Sequence, residues 1–385
     1  MVKTSLKSKL IVAGIVTVIT AGSVITFNQI TKSEITKNVK HALIQETLKV
    51  KKSTAGFAYP DFTKSKIKCS GFFNYTCKIT NNYFRLNNLV MHGNFAEWDM
   101  KIKNLNFEQL TSLKNRQIKN LDIEISNLKP TTKASILFNK KMFNYTFPIN
   151  IGSQISFSKK AKYVAKKVGK ENKTLYTRKV ILKDTYFDNP TLKLKLNMDL
   201  TLQDVNNGGF FIYLDKNNNF ITDKNKIKKG EYKSQINLAA NDKIILHKAK
   251  YSIEDKHIAD TIYLWYTNVG GKQGFAALNS NIFYIQNPKK LTRKEFDKQI
   301  KKVFSGALSS ISNVKTHPKY KWFKQELEGM EKMYFKKIKG VSIQISNKSN
   351  IPLQASYVIG RINPGVLPQI KFLDTYYNIK VKEIK

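Results

Sequence analysis

The sequence predicts an α+β protein, mainly antiparallel β: an N-terminal transmembrane helix and stalk, a large β-rich exported body, and a C-terminal helical hairpin followed by returning strands. Three observations predict it. Leu10–Phe27 (LIVAGIVTVITAGSVITF) carries no charge. From Gly56 to about Gln286 apolar and polar residues alternate with period two between breaks of Asn, Gly, Asp and Pro. A helical period returns at Leu291. The expected order is a cytoplasmic leader at 1–9, a transmembrane signal anchor at 10–28 and a helical stalk at 29–54. An antiparallel β body at 56–290, a helical hairpin at 291–340 and C-terminal strands packing on the β body at 341–385 complete it.

The leader holds Lys3, Lys7 and Lys9 and no acid. A helix over Leu10–Phe27 covers about 27 Å, close to the ~30 Å hydrocarbon layer. A cleaved signal peptide competes with this reading, because Ala21-Gly22-Ser23 could serve as its cleavage site. The apolar run continues through Val24, Ile25 and Phe27, and its length favours an uncleaved anchor. The positive-inside bias then puts the bulk of the chain in the periplasm of a bacterium, as a single-pass inner-membrane protein; the alternative is a periplasmic protein released by signal cleavage. No lipobox cysteine follows the segment.

Thr31–Lys52 reads as helix, with Ile35, Val39, Ala42, Leu43, Glu46 and Val50 at three- and four-residue steps. It either prolongs the membrane helix as a stalk or packs on the β domain beside it. Cys69 and Cys77 flank SGFFNYT between strand-like residues. A hairpin centred on Phe73 sets them opposite one another, within reach of a disulfide, which suits an oxidising compartment. Strand candidates follow at 84–92, 98–107, 118–125, 134–138, 154–157, 176–183, 191–202, 210–214, 232–238, 243–253, 262–266 and 282–286, with a short helix at Glu108–Gln117. Phe296, Ile300, Val303, Phe304, Ala307, Leu308 and Ile311 form one helical stripe, opened by a capping box of Thr292 and Glu295. A second helix is expected from about Pro318 to Lys337. Strands resume at Val341–Ile345 and close at Tyr377–Ile384. The link between them holds Pro352, Pro364, Gly365 and Pro368 and reads as loop or edge. A soft boundary is expected near Lys159–Lys173.

The 385 residues include 67 Lys plus Arg and 27 Asp plus Glu, a formal net charge of +40. Only five of the basic residues are arginine, and the lysines are spread along the chain. Nucleic-acid readers lean on the planar guanidinium, so no nucleic-acid partner is expected. An anionic lipid surface is the better partner for these lysines, beside the membrane reached through Leu10–Phe27. At 41% hydrophobic residues a sizeable core can form, and two cysteines exclude a disulfide-dense scaffold or a cysteine-ligated cluster.

Chemistry-bearing motifs are sparse. Asp215, Asn217, Asn219 and Asp223 have the spacing of calcium-loop ligands, but Phe220 stands where glycine is needed and Lys226 where the bidentate glutamate belongs. An Asn-rich hairpin turn explains the same residues. His41, His92, His247, His257 and His317 form no metal-ligand spacing, although His247 and His257 could face each other across a hairpin near Glu254 and Asp255. Gly270-Gly271-Lys272-Gln273-Gly274 lacks the order of a phosphate loop and a following helix, and reads as a turn. Acid pairs such as Glu326 and Glu328, or Asp122 and Glu124, have no supporting signature. No catalytic, cofactor-binding or metal residue is nominated, and no cofactor is expected.

Leu10–Phe27, FRLNNLVMHG at 84–93, MKIKNLNF at 100–107 and IKNLDIEI at 118–125 give the chain a layout that resembles the AsmA-like and YdgA-like single-anchor bacterial envelope proteins. The resemblance covers under a third of the chain. It implies a non-enzymatic scaffold or β-sheet groove concerned with lipid or another envelope component, and it carries over no functional residue. An exported enzyme whose site is assembled from distant residues is the competing class. An envelope adhesion or assembly subunit with exposed strand edges is a third.

Overall fold

The structure is a computed structural model that describes residues 32–385 except 73, 89–90, 106–119, 138, 159–160, 165–173, 205–209, 217–219, 222–223, 239–241, 269–270, 313–320, 349 and 354–365. The apolar run Leu10–Phe27 and the helix expected at Glu108–Gln117 lie outside the described residues. Among the described residues no helix is long and apolar enough to cross a membrane. The α+β class with mainly antiparallel strands holds. The chain divides into two compact units, Met1–Leu137 and Phe138–Lys385, so the boundary falls ahead of the basic stretch at Lys159–Lys173 where it was expected.

The first unit contains helix α1 (32–53) and strands β1 (Ala58–Asp61), β2 (Lys66–Phe72), β3 (Asn74–Asn87), β4 (His92–Leu105) and β5 (Asn120–Pro130), then the short helix α2 (Thr132–Ser135). Strand β3 is long enough to pair β2 along its first half and β1 along its second, with β4 and then β5 on its other side. Helix α1 packs on its own β domain: Ile35 and Val39 are buried in one cluster with Phe62, Cys69, Tyr75, Cys77, Ile79, Met100 and Leu105. Thr47 accepts a hydrogen bond from the Phe62 amide at 3.1 Å, which pins the outer end of the helix. Of the two readings of this helix, packing describes it and a free stalk does not. Register is held partly by a bulge between Ile79 and Asn82. The buried Asn82 amide donates to the carbonyls of Ile79 and Trp98 and accepts from Ser65. The strand expected over 84–92 ends at Asn87 and the next begins at His92; between them the Asn88 side chain accepts from the Met91 amide, and residues 89–90 lie outside the described residues.

The second unit holds helix α3 (Lys140–Thr146), strands β6 (Ile149–Phe157), β7 (Ala161–Val164), β8 (Thr174–Asp188) and β9 (Leu192–Asp204). A small sheet of β10 (Phe210–Leu214), β11 (Phe220–Ile221) and β12 (Ser234–Leu238) follows, with helix α4 (Lys224–Lys228). The remaining elements are β13 (Asp242–Asp255), α5 (Ile258–Thr267), α6 (Gly271–Phe283), α7 (Arg293–Ser312), α8 (Lys321–Tyr334), β14 (Gly340–Asn347), α9 (Val366–Tyr376) and β15 (Tyr377–Ile384). The large sheet runs β6-β8-β9-β13-β14-β15, every pairing antiparallel, with β7 also on β8.

Alternation gives this sheet two unlike faces. In β9 Leu194, Leu196, Met198, Leu200 and Leu202 share one face, and Lys193, Lys195, Asn197, Asp199, Thr201 and Gln203 the other. Met198, Leu200, Leu246, Ala249, Ile345 and Ile379 of the apolar face pack with Ile351 and with Phe372, Leu373 and Tyr376 of α9. Helix α8 approaches β14 through Gly329, where an added Cβ would lie 2.8 Å from a Val341 methyl.

Five further segments differ from the sequence reading, for identifiable reasons. Residues 262–266 are helical because Tyr263 and Tyr266 sit three apart and both enter an aromatic cluster with Phe275, Phe283 and Phe296. Asp255 caps that helix by accepting from the Ile258 amide at 2.8 Å. Of the strand expected at 282–286, Ile282 and Phe283 end α6 and 284–286 follow outside any helix or strand; the start of α6 replaces the turn expected at Gly270–Gly274, and residues 269–270 lie outside the described residues. In place of the strand expected at 134–138, Ala134 and Ser135 end the short α2, capped by Thr131, and residues 136–137 form a turn; residue 138 lies outside the described residues. The link before the last strand contains α9, because Pro368 falls in its first turn, where a missing amide hydrogen costs nothing. The helical hairpin stands: the α7 cap has Glu295 accepting from both the amide and the hydroxyl of Thr292 at 2.7 and 2.8 Å. The closing strand spans Tyr377–Ile384 as expected.

Candidate functional site

Cys69 and Cys77 are partners in the β2–β3 ladder and are joined in a disulfide with Cα atoms 3.9 Å apart. Both are buried in the first unit's core, at 2% and 0% exposure, so the bond is a staple and does not face solvent. The Asp215–Asp223 segment follows β10 and contains β11, which pairs with β10 at Leu214 and Phe220, and helix α4 starts directly after it, so a strand stands before it and a helix after it, where strands were expected on both sides. Asn217, Asn219 and Asp223 lie outside the described residues. His247 lies within β13 and hydrogen-bonds Thr201 Oγ1 at 2.7 Å. His257 stands before α5, its Nδ1 3.5 Å from Asp260 and its ring against Tyr145. The two do not face each other across a hairpin, since β13 pairs with β9 and β14 and its end leads into α5. His41 and His92 are exposed, and His317 lies outside the described residues. Among the described residues no group of three or more His, Cys, Asp or Glu could hold a metal ion.

The acids are engaged structurally. Glu124 takes Lys103 at 2.6 Å and Lys101 at 3.2 Å, and the Lys103 ammonium above all holds its carboxyl below the usual range against the cost of burial. Asp122 accepts from Asn104. Asp260 and Asp297 both take Arg293 at 2.9 Å, and the Tyr334 hydroxyl donates to Asp297, which ties α5, α7 and α8 together. Burial pushes the Glu326 carboxyl up despite a 3.3 Å hydrogen bond from the Tyr251 hydroxyl. Glu328, its neighbour in sequence, points to Lys324 and not to the same partner.

What the second unit leaves open is the polar face of its large sheet. A depression of about 590 Å³ crosses β8, β9, β13, β14 and β15. Its lining follows the register. Asn197 is opposite Lys250, Lys250 opposite Gln344, and Gln344 opposite Lys380. Lys183 and Asp184 fill a bulge between Leu182 and Thr185 that faces Asn197. Asp184 sits at φ 47°, and its amide donates to Asn197 Oδ1 at 2.8 Å, which fixes the bulge. A second bulge between Leu246 and Lys248 lies one row over, where Asp199 faces Lys248 and Lys248 faces Ser346. Two bulges on either side of one row bend their strands, and the depression lies between them.

The charges here are uneven. Asp199 is neutralised by Lys179 at 3.1 Å. Lys183, Lys248, Lys250 and Lys380 are all exposed, and none has a carboxylate partner among the described residues. Ile181 and the lysine stems supply an apolar floor. Such a surface can hold a carboxylate or phosphate between ammonium groups, with the amides of Asn197, Gln344 and Asn378 as hydrogen-bond donors.

In a smaller depression of about 440 Å³ in the first unit two of the lining charges, Arg85 and Glu97, are used internally, and Lys133 is exposed. Arg85 takes Asp61 at 3.1 Å and Asn94 at 3.2 Å, and Glu97 takes Lys129.

The lysine row was not nominated from the sequence. Alternation identifies which residues share a face, but their alignment across five strands depends on the bulges in β8 and β13, which nothing in the local sequence announces. The chain matches no family model and none of the curated proteins.

Proposed function

We propose that the protein is a non-enzymatic component of a bacterial cell envelope, tethered to the inner membrane by Leu10–Phe27, with its β-rich body in the periplasm. Its task is to bind an anionic envelope component on the polar face of the second unit's large sheet. One observation carries this reading: four lysines without carboxylate partners among the described residues converge on a depression set between two bulges. A merely solvated face has no need of the shape. The apolar face, where an acyl chain would have to lie, is already packed at β13, β14 and β15 by α8 and α9, so the reading rests on charge and not on a hydrophobic groove. The shared ligand chemistry is a phosphate or carboxylate, as on an anionic lipid headgroup or another acidic envelope molecule. The layout shared with the AsmA-like and YdgA-like proteins supports the envelope setting.

Full-length protein extracted in mild detergent and examined by native mass spectrometry should retain an anionic envelope molecule. The Lys250→Glu/Lys380→Glu variant should lose it. Recovery of none, or equal recovery from the variant, would leave the protein a purely structural role. N-terminal sequencing tests the tether: a chain that begins near Val24 and is soluble without detergent would mean that the signal is cleaved.

A further inference from the structure

The register of the lysine row says more than that an anion binds. Reading across the sheet, the row is Lys183, Asn197, Lys250, Gln344 and Lys380: a cation on every second strand and an amide between. Strands lie about 4.8 Å apart, so successive cations stand on strands about 10 Å apart and the row spans about 19 Å. A single phosphate or lipid headgroup fills one gap between neighbouring strands and meets one lysine of this row. Only a ligand that lies across the strands meets all three.

The depression also continues past the sheet edge. A second one, of about 610 Å³, shares Ser346, Asn378 and Lys380 with the first and reaches the half-buried indole of Trp322, whose Nε1 donates to Asp374. That adds a flat apolar surface at one end of the row. Asp184 and Asp199 stand among the cations and can accept from a hydroxyl; Asp184, which Lys179 does not neutralise as it does Asp199, repels a bare phosphate.

We infer, building on the anion-binding role proposed above, that the ligand is a linear acidic polysaccharide with about one carboxylate or phosphate per disaccharide, lying perpendicular to the strands. A charge repeat of one disaccharide matches the spacing between the lysine-bearing strands. The amides of Asn197 and Gln344 and the acids of Asp184 and Asp199 serve the uncharged sugar's hydroxyls, and a terminal sugar ring stacks on Trp322. Nucleic acid fits less well. It carries a charge on every nucleotide, more closely spaced than about 10 Å, and it asks for a series of aromatic platforms, of which the row has one.

The test is a length series measured by calorimetry on the full chain in neutral detergent at fixed salt. The probes are oligosaccharides bearing one uronate per disaccharide, inorganic phosphate, vesicles of phosphatidylglycerol, and an oligodeoxythymidine of matched charge. Affinity for the uronate series should rise by about tenfold or more between one and three disaccharides and then level off, as each added charge reaches the next lysine. Lys183→Gln, Lys250→Gln and Lys380→Gln should each flatten the rise, and Lys68→Gln in the first unit should not. Binding of phosphate or of the vesicles with no length dependence in the uronates would overturn the inference and keep the anion-binding role. Equal or tighter binding of the oligodeoxythymidine would overturn the choice of polysaccharide. Failure of every anion to bind would overturn both readings.

Discussion

Lys68, Lys78 and Lys101 stand side by side on β2, β3 and β4 of the first unit, on the face opposite the disulfide. The row ends on Glu124, which takes Lys101 together with Lys103. In the second unit Lys183, Lys250 and Lys380 stand on every second strand, separated by amides, and no acid closes the row. The second row lies in a depression of about 590 Å³. Like charges on adjacent strands repel, so the first row is tolerated on a solvated face where its end is neutralised. Charge alone therefore does not mark a site in a chain with 67 basic residues; charge spaced out and set in a shaped surface does.

The largest effect expected from a single substitution concerns the staple behind the first row. Cys77→Ala removes a bond that closes a short loop and should lower the first unit's stability by about 2–3 kcal/mol. Denaturant unfolding measures this, and thiol titration of the denatured, unreduced wild type should find no free thiol. Anion binding by the second unit should be unchanged. A loss of binding would break the separation between the two rows. Next in size, Gly329→Ala should cost about 1–3 kcal/mol by pushing α8 away from Val341. It disturbs the packed face of the second sheet, so any loss of ligand affinity should follow the fraction unfolded and not exceed it.

Glu124 of the first unit and Glu326 of the second should contribute to stability with opposite dependence on pH. Glu124 is held below its unfolded value by Lys103, burial opposing, and by Lys101. Its contribution is present above the unfolded carboxyl pKa of about 4.3 and is lost as pH falls through the folded value. Glu124→Gln should therefore cost up to about 1 kcal/mol at neutral pH and nothing in acid. Glu326 is raised by burial, the Tyr251 hydrogen bond opposing. Its contribution is present below the unfolded pKa and is lost as pH rises through the folded value. Glu326→Gln should therefore stabilise the second unit by up to about 1 kcal/mol at neutral pH and not in acid. Thermal melts of both variants at acid and neutral pH check the pair of signs.

The strands were legible where one face is buried. β15 matches its expected span because its apolar and polar residues alternate, and β10 because its apolar run is bounded by Asn-Gly and Asp-Lys-Asn turn residues. The disulfide was legible because hairpin register is local. Helix α5 was not, because Ile262, Tyr263, Leu264, Trp265 and Tyr266 are rich in β-favouring side chains and only packing with Phe296 and Phe283 selects the helix. Lys183, Lys250 and Lys380 were visible one at a time and never as a row, since the bulges that align them obey long-range pairing.

On the proposed function the second row binds anions by its arrangement and the first row does not. Two double charge reversals of the full chain, Lys250→Glu/Lys380→Glu and Lys68→Glu/Lys78→Glu, change the net charge equally. Their affinities for one anionic probe, a uronate hexasaccharide, should then be compared at the same salt. The account predicts a loss of about tenfold or more in the first variant and less than about twofold in the second. Equal losses in both would contradict it, because binding would then follow total charge alone.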